Sequence, residues 1–146
     1  MLLDHMKFAI ELAERAENYN EVPVGCVLAD HNQKLVSYAN NSMIENNDPT
    51  CHAEIVAIRS ACRKLKTTKL LNFSIYITLE PCQMCEALII NVGIKNVYFG
   101  AYSESLKNYK KKLKNYFLSR KGYNFLGGFE EKRCSKLLTK SFRKKR

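Results

Sequence analysis

The 146-residue sequence has no apolar run of the roughly 18 residues that a membrane-spanning helix needs. Its first residues include an acid, Asp4, and no long apolar core, so we expect no secretory signal there. The chain also lacks internal repeats and linker-like stretches, and its length suits one domain with one sizeable core. We therefore expect a cytoplasmic protein, not bound to membranes, that forms a single domain over residues 1–146.

Acidic residues are scarce in one region. Residues 107–146 hold 15 Lys and Arg but only 2 Asp and Glu, a net charge of +13, whereas residues 1–106 hold 9 basic and 12 acidic residues, a net charge of −3. Such a split within one chain favours a polyanionic partner, the alternative being a solvated tail that keeps the protein soluble. Four aromatic residues lie among the basic ones: Tyr109, Tyr116, Phe117 and Tyr123. Rings beside cationic groups suit unstacked RNA bases, although such rings also serve as core residues.

The six cysteines are not expected to form disulfides in a reducing cytoplasm, where clustered cysteines more often bind metal or react. Cys82 and Cys85 form such a cluster. The other four are expected to be small buried or half-buried apolar residues: Cys26, Cys51, Cys62 and Cys134.

Two short motifs carry the chemistry. His52-Ala53-Glu54 is followed 27 residues later by Pro81-Cys82-Gln83-Met84-Cys85. A catalytic zinc takes three protein ligands and keeps a fourth position for water, whose pKa it lowers toward about 7. His52, Cys82 and Cys85 supply three ligands, and Glu54 remains as a carboxylate able to move protons.

The same motifs allow two other interpretations. A closed structural zinc site needs a fourth ligand, for which Cys51 is the candidate, but neighbouring helical residues point about 100° apart, which makes joint ligation with His52 awkward. A redox-active cysteine pair has no use for His52 or Glu54. Taken together, the residues favour a catalytic Zn²⁺ site.

The pattern of apolar residues predicts an α/β protein. Helices are predicted over residues 4–18, about 50–65, 81–92 and 130–142, and strands over 22–29, 35–39, 73–79, 95–100 and, weakly, 125–129. Asp48 or Thr50 is expected to cap the second helix, with Leu65 on its buried face. Residues 40–49 are predicted to be a loop, and residues 103–121 short helices with loops. A helix between two strands also predicts a right-handed parallel crossover.

The sequence resembles the cytidine deaminase-like superfamily and, within it, the bacterial tRNA-specific adenosine deaminases. The resemblance covers nearly the whole chain and is carried by four stretches: Glu21–Gly25, Asn47–Ile55, Thr78–Cys85 and Tyr98–Ala101. It implies a three-layer α/β/α fold with a mixed five-stranded sheet, and an active homodimer. It also implies zinc-dependent hydrolysis of the wobble adenosine to inosine in a tRNA anticodon stem-loop.

The resemblance assigns roles to individual residues. It implies that His52, Cys82 and Cys85 bind zinc and that Glu54 shuttles protons. It also implies that the Ala53 backbone N–H and the Asn41 side chain hydrogen-bond the purine and that Val24 lines the pocket. From the residues alone, Asn41 is a turn residue and Val24 a core strand residue.

One position departs from the family pattern. Ser103 lies where these deaminases usually carry an Asp that contacts the anticodon, and the segment after it is Lys-rich without the small residues of the family. Ser103 either hydrogen-bonds a ribose hydroxyl or is an ordinary loop residue. Two other functions therefore stay open: deamination of a free base, guanine or cytosine, and a catalytically idle RNA-binding subunit.

Overall fold

The computed structural model describes residues 2–104 and 122–144, which form a mixed five-stranded sheet with helices on both faces. The elements in chain order are α1 (Leu2–Asn18), β1 (Gly25–Ala29), β2 (Leu35–Asn40), α2 (Met43–Asn46), α3 (Ala53–Leu65), β3 (Ser74–Leu79), α4 (Gln83–Asn91), β4 (Asn96–Ala101), β5 (Asn124–Leu126) and α5 (Glu131–Lys144). The strand order is β2-β1-β3-β4-β5. Strand β1 is antiparallel to β2 and β3, and β4 is parallel to β3 and β5. The predicted α/β class, mixed sheet and parallel β3-α4-β4 pairing are confirmed.

An apolar cluster on each face of the sheet produces the three layers. Val27 and Leu28 are neighbours on β1 and are both fully buried, because successive side chains of a strand point to opposite faces. Val27 packs in the cluster of α1 and α5, with Met6 and Cys134. Leu28 packs in the cluster of α3 and α4, which contains Ile58. Burial on both sides explains why β1 is a continuous apolar run rather than an alternating one.

Gly25 allows α1 to pack closely on β1. A Cβ at this position would lie 1.8 Å from the backbone oxygen of Ala9, so any side chain would force the helix away from the sheet. This glycine therefore sets the height of α1 over the strand that leads to the candidate site.

The predicted start of the second helix is wrong. Helix α3 begins at Ala53, because Asp48 forms a local turn instead of capping it. The Asp48 Oδ1 accepts both the backbone N–H of Thr50 (2.8 Å) and its hydroxyl (2.7 Å). His52 consequently takes the N-cap position of α3.

Other boundaries also differ from the sequence prediction. Residues 40–49 include the short helix α2, and β5 covers three residues instead of 125–129. Leu65 is 44% exposed because α3 ends there, with Lys66 in the left-handed conformation. The helices predicted within residues 103–121 fall, from residue 105 on, outside the described residues. None of the helices within residues 2–104 and 122–144 has the length and apolar character needed to cross a bilayer.

Candidate active site

The N-termini of α3 and α4 define the centre of the site. His52 and Cys82 are the N-cap residues of these helices, both with extended backbones (φ −67°, ψ 151° and φ −69°, ψ 173°). Neither side chain caps its own helix, so the imidazole and the thiol are both available to a common ligand. Helix N-termini carry partial positive charge, which stabilises thiolates and other anions placed there.

Three donor atoms converge at this point. The His52 Nδ1 lies 3.5 Å from the Sγ atoms of Cys82 and Cys85, and the two Sγ atoms are 3.6 Å apart. Tetrahedral zinc, with bonds of about 2.3 Å to sulfur and about 2.0–2.1 Å to nitrogen, separates such donors by about 3.5–3.8 Å. The three residues therefore fit Zn²⁺ in both chemistry and spacing.

The charges of these donors are strongly coupled. Hydrogen bonds from Cys85 and then from His52 lower the pKa of the Cys82 thiol to about 4. The bond with Cys82, followed by burial, raises the pKa of the Cys85 thiol, and the bond with Cys82 raises the pKa of His52. A thiolate held by two proton-bearing neighbours is an arrangement in which a divalent cation can replace the shared protons.

Glu54 lies beside the donors with one oxygen uncommitted. It is 4% exposed, and its Oε1 has no hydrogen-bond partner within the described part of the chain. Burial raises the pKa of its carboxyl, an effect opposed by its hydrogen-bonding contact with Cys85. A buried carboxyl with a free oxygen next to a metal site is suited to accepting and returning a proton.

Three of the predicted substrate contacts are joined to this centre by hydrogen bonds. The Ala53 N–H donates to the Asn41 Oδ1 (2.9 Å), and the Asn41 N–H donates to the backbone oxygen of Val24 (3.0 Å). Since a backbone N–H can only donate, Oδ1 faces Ala53 and the Nδ2 amide remains the donor for another group. All three residues are buried. Their contacts with a substrate stay predictions.

Ser103 is fixed next to the segment that carries Cys82. Its backbone N–H donates to the Glu80 Oε1 (3.0 Å), and the Glu80 N–H donates to the backbone oxygen of Ala101 (2.8 Å). The parallel pairing of Leu79 with Ala101 places the ends of β3 and β4 side by side. Ser103 is thus at the sheet edge where β3 leads to the candidate zinc ligand Cys82, and its contact with RNA stays a prediction.

The structure also shows where Cys51 and Tyr123 lie. Cys51 is buried, and its thiol donates to the Asp48 carboxylate, so it does not join the donor group. The Tyr123 hydroxyl donates to the Glu86 Oε1 (3.2 Å) while its ring stacks on Phe125, which makes it a partly buried core residue. The scattered cysteines are buried or half-buried free thiols, as predicted. Tyr109, Tyr116 and Phe117 lie outside the described residues.

The sequence motifs did not indicate a role for Glu21, which caps the short helix α2 next to Asn41. It is 1% exposed, and its Oε1 accepts the backbone N–H groups of Ile44 (2.6 Å) and Glu45 (3.0 Å) at the start of α2. This carboxylate caps the helix that follows Asn41 by two residues. Its partners are 23 and 24 positions away, so no local pattern indicates the contact.

A buried glutamate beside a His/Cys/Cys donor set, at two helix N-termini on a three-layer sheet, defines the class of zinc-dependent deaminases. The family model described as the cytidine and deoxycytidylate deaminase zinc-binding region matches residues 2–101. Zinc is therefore the cofactor of this protein.

Comparison with individual proteins narrows the class. The tRNA-specific adenosine deaminase of Buchnera aphidicola subsp. Baizongia pistaciae is 42% identical over 144 residues, covering 97% of this chain and 88% of the relative. That of Rickettsia bellii is 41% identical over 145 residues, covering 96% and 98%. A structure solved in a study of A-to-I editing by tRNA:A34 deaminases at the wobble position superposes with a TM-score of 0.80 and 32% identity, covering 92% of this chain and 99% of that one. The chain belongs to the tRNA-specific adenosine deaminases.

Proposed function

We propose that this protein hydrolyses the wobble adenosine of a tRNA anticodon to inosine, with release of ammonia. The observation that carries the proposal is the extent of the similarity to tRNA-specific adenosine deaminases, which includes 97% of the chain. The region of similarity includes most of the basic segment after residue 106, whose net charge is +13. A free-base deaminase has no use for this charge, whereas an RNA-binding enzyme gains affinity from each phosphate that it neutralises.

The chemistry follows from the donor set and Glu54. His52, Cys82 and Cys85 would hold the zinc, which would supply the means of activating water as a nucleophile at neutral pH. Glu54 would accept a proton from the attacking water at its uncommitted Oε1 and return it to the amine that leaves C6 of adenine. One water is consumed, the C6–N6 bond breaks, a C6–O6 bond forms, and inosine and ammonia are the products.

The residues around Glu54 hold the base during this reaction. The Asn41 Nδ2, left free by the bond from Ala53 to Oδ1, donates to a purine ring nitrogen. Ala53 acts through its backbone N–H, which donates to the Asn41 Oδ1 and so orients the amide toward the base, and Val24 lines the apolar side of the pocket. Ser103, beside Glu80, contacts the anticodon backbone. The adenine must leave its stack to reach this buried site.

The proposal also includes the RNA partner, the oligomeric state and the cellular compartment of the protein. The RNA partner is the anticodon stem-loop, which the Lys- and Arg-rich segment attracts through its phosphates. The active form is a homodimer of single-domain chains, each spanning residues 1–146, in the cytoplasm. The resemblance to the bacterial enzymes supports these statements.

The test is to incubate the zinc-loaded protein separately with an anticodon stem-loop carrying adenosine at the wobble position, with guanine and with cytosine. Inosine in the stem-loop and an equal amount of ammonia are expected, with no ammonia from either free base. A stem-loop with guanosine at the wobble position is the matched control. Ammonia from a free base but not from RNA would establish the base deaminase instead. Zinc-loaded protein that binds RNA without releasing ammonia would establish the idle subunit.

A further inference from the structure

An exposed aromatic ring lies at the edge of the site and is not used by the chemistry. Tyr102 directly follows β4, at the sheet edge where β3 ends and leads to Cys82. Its two neighbours are both tied to Glu80: Ala101 accepts the Glu80 N–H, and Ser103 donates its N–H to the Glu80 carboxylate. The backbone of Tyr102 is therefore fixed beside Glu80, which lies two residues before the candidate zinc ligand Cys82.

The Tyr102 ring is supported on one side and open on the other. It meets the ring of Phe99 edge-on, with centroids 5.1 Å apart and planes at 84°. Phe99 is itself buried, and a Cβ on Gly127 would lie 2.2 Å from its ring, so only glycine fits there. Even with this support, Tyr102 is 51% exposed.

We propose that Tyr102 is a stacking platform for an unpaired anticodon base next to the wobble adenosine. The inference rests on the proposed function. An enzyme that draws one base out of its stack leaves the neighbouring bases without a partner, and an exposed aromatic ring beside the site can replace the lost stacking. Stacking accepts any base, since every base has a π-face, so the platform adds affinity without restricting the sequence.

The charge near Tyr102 fits an RNA partner. In the sequence, the Lys-rich stretch begins at Lys107, five residues after Tyr102, and its positive charge suits the phosphates that accompany a stacked base. The position also matters because Ser103, next to it, lacks the carboxylate usual in the bacterial family. A base stacked on Tyr102 would add affinity for the anticodon without the Asp that the bacterial family usually carries at the Ser103 position.

Tyr38 provides a matched control. It is also 51% exposed and also meets a phenylalanine ring edge-on, that of Phe8, with centroids 5.0 Å apart. It lies on β2, the strand at the opposite edge of the sheet from β4 and β5. Tyr38→Leu and Tyr102→Leu therefore remove the same amount of exposed ring, one away from the site and one beside it.

The experiment measures binding of the wobble-adenosine stem-loop to zinc-loaded Glu54→Gln protein, in which slow turnover allows equilibrium. Tyr102→Leu is expected to raise Kd by roughly 5- to 100-fold, the effect of losing one stacked base. Tyr102→Phe keeps the ring and is expected to recover most of the affinity, and Tyr38→Leu to stay within about twofold, as for ordinary surface substitutions. In the active protein, Tyr102→Leu should raise KM more than it lowers kcat.

Fluorescence supplies a second readout, because the chain contains no tryptophan. Tyr102→Trp creates a single tryptophan whose emission a stacked base should quench, with a midpoint equal to the Kd, whereas the tryptophan of Tyr38→Trp should not respond. Equal Kd values for Tyr102→Leu and Tyr38→Leu, or no quenching of Tyr102→Trp, would refute the stacking role of Tyr102. If the wild-type protein still forms inosine in that case, the proposed function stands. If the wild-type protein neither binds nor deaminates the stem-loop, both proposals fail together.

Discussion

Replacement of Glu21 by alanine should destabilise the protein and loosen the segment that carries Asn41. The substitution removes the acceptor of two N–H groups at the start of α2, at 2.6 and 3.0 Å. A hydrogen bond to a charged group contributes about 1.5–3 kcal/mol, and both N–H groups are only partly buried, so water replaces part of each bond. We therefore expect a loss of about 3 kcal/mol in the free energy of unfolding, a large part of the 5–15 kcal/mol typical of a domain.

Urea unfolding at a fixed zinc concentration measures this loss. With a slope of about 1–3 kcal/mol per molar urea, the midpoint should fall by about 1–3 M while the slope stays constant. Glu14→Ala is the control: Glu14 and its ion-pair partner Arg133 are each 48% exposed, with atoms 3.5 Å apart, and such surface pairs contribute about 0–1 kcal/mol. Glu21→Gln keeps one acceptor oxygen, so its urea midpoint should lie between those of Glu21→Ala and Glu14→Ala.

The reasoning is refuted if Glu21→Ala costs no more than Glu14→Ala, since the two backbone bonds would then contribute nothing net. A second consequence concerns the substrate. Because α2 begins two residues after Asn41, Glu21→Ala should raise KM for the stem-loop at temperatures where the variant remains folded. An unchanged KM would show that the segment keeps Asn41 in place without its cap.

Three further predictions concern the metal, the proton shuttle and the RNA. Cys85→Ala should lose zinc on dialysis, because two ligands remain where catalytic sites use three, whereas Cys62→Ala, half-buried outside the donor group, should keep it; equal zinc content by metal analysis would contradict the ligand assignment. Glu54→Gln should retain zinc but lower the rate of inosine formation by about 10²–10⁴-fold, the usual contribution of a general acid–base, and a near-wild-type rate would exclude Glu54 as the shuttle. The Kd for the stem-loop should rise steeply between 50 and 200 mM salt, about 10³-fold or more if six or more phosphates are contacted, and a flat dependence would argue against the basic segment as the RNA contact.

The regular elements and the candidate zinc-binding residues could be predicted from the sequence for local reasons. Strand β1 is apolar throughout because both of its faces are buried, and Cys82 and Cys85 stand three residues apart at a helix start. Prediction failed where side chains formed alternative local bonds. Asp48 is a good N-cap by residue type, but it bonds Thr50 two positions on, which moves the helix start to Ala53 and leaves His52 as the N-cap. A single sequence does not show which of two competing local bonds is made.

By itself, the sequence determined the reaction chemistry of this protein: one histidine, two cysteines and one glutamate at spacings that suit a catalytic zinc, and a basic segment that suits RNA. Only the tertiary structure decided how these groups are supported. The Asn41 amide is oriented by Ala53, α2 is capped by Glu21, and the Tyr102 ring is held against Phe99 beside the end of β3. The physical reason is how far apart along the chain the interacting residues lie. Ligand spacing within a motif is a property of a few consecutive residues, whereas these contacts join residues on different elements that meet only when the sheet forms and the helices pack on it.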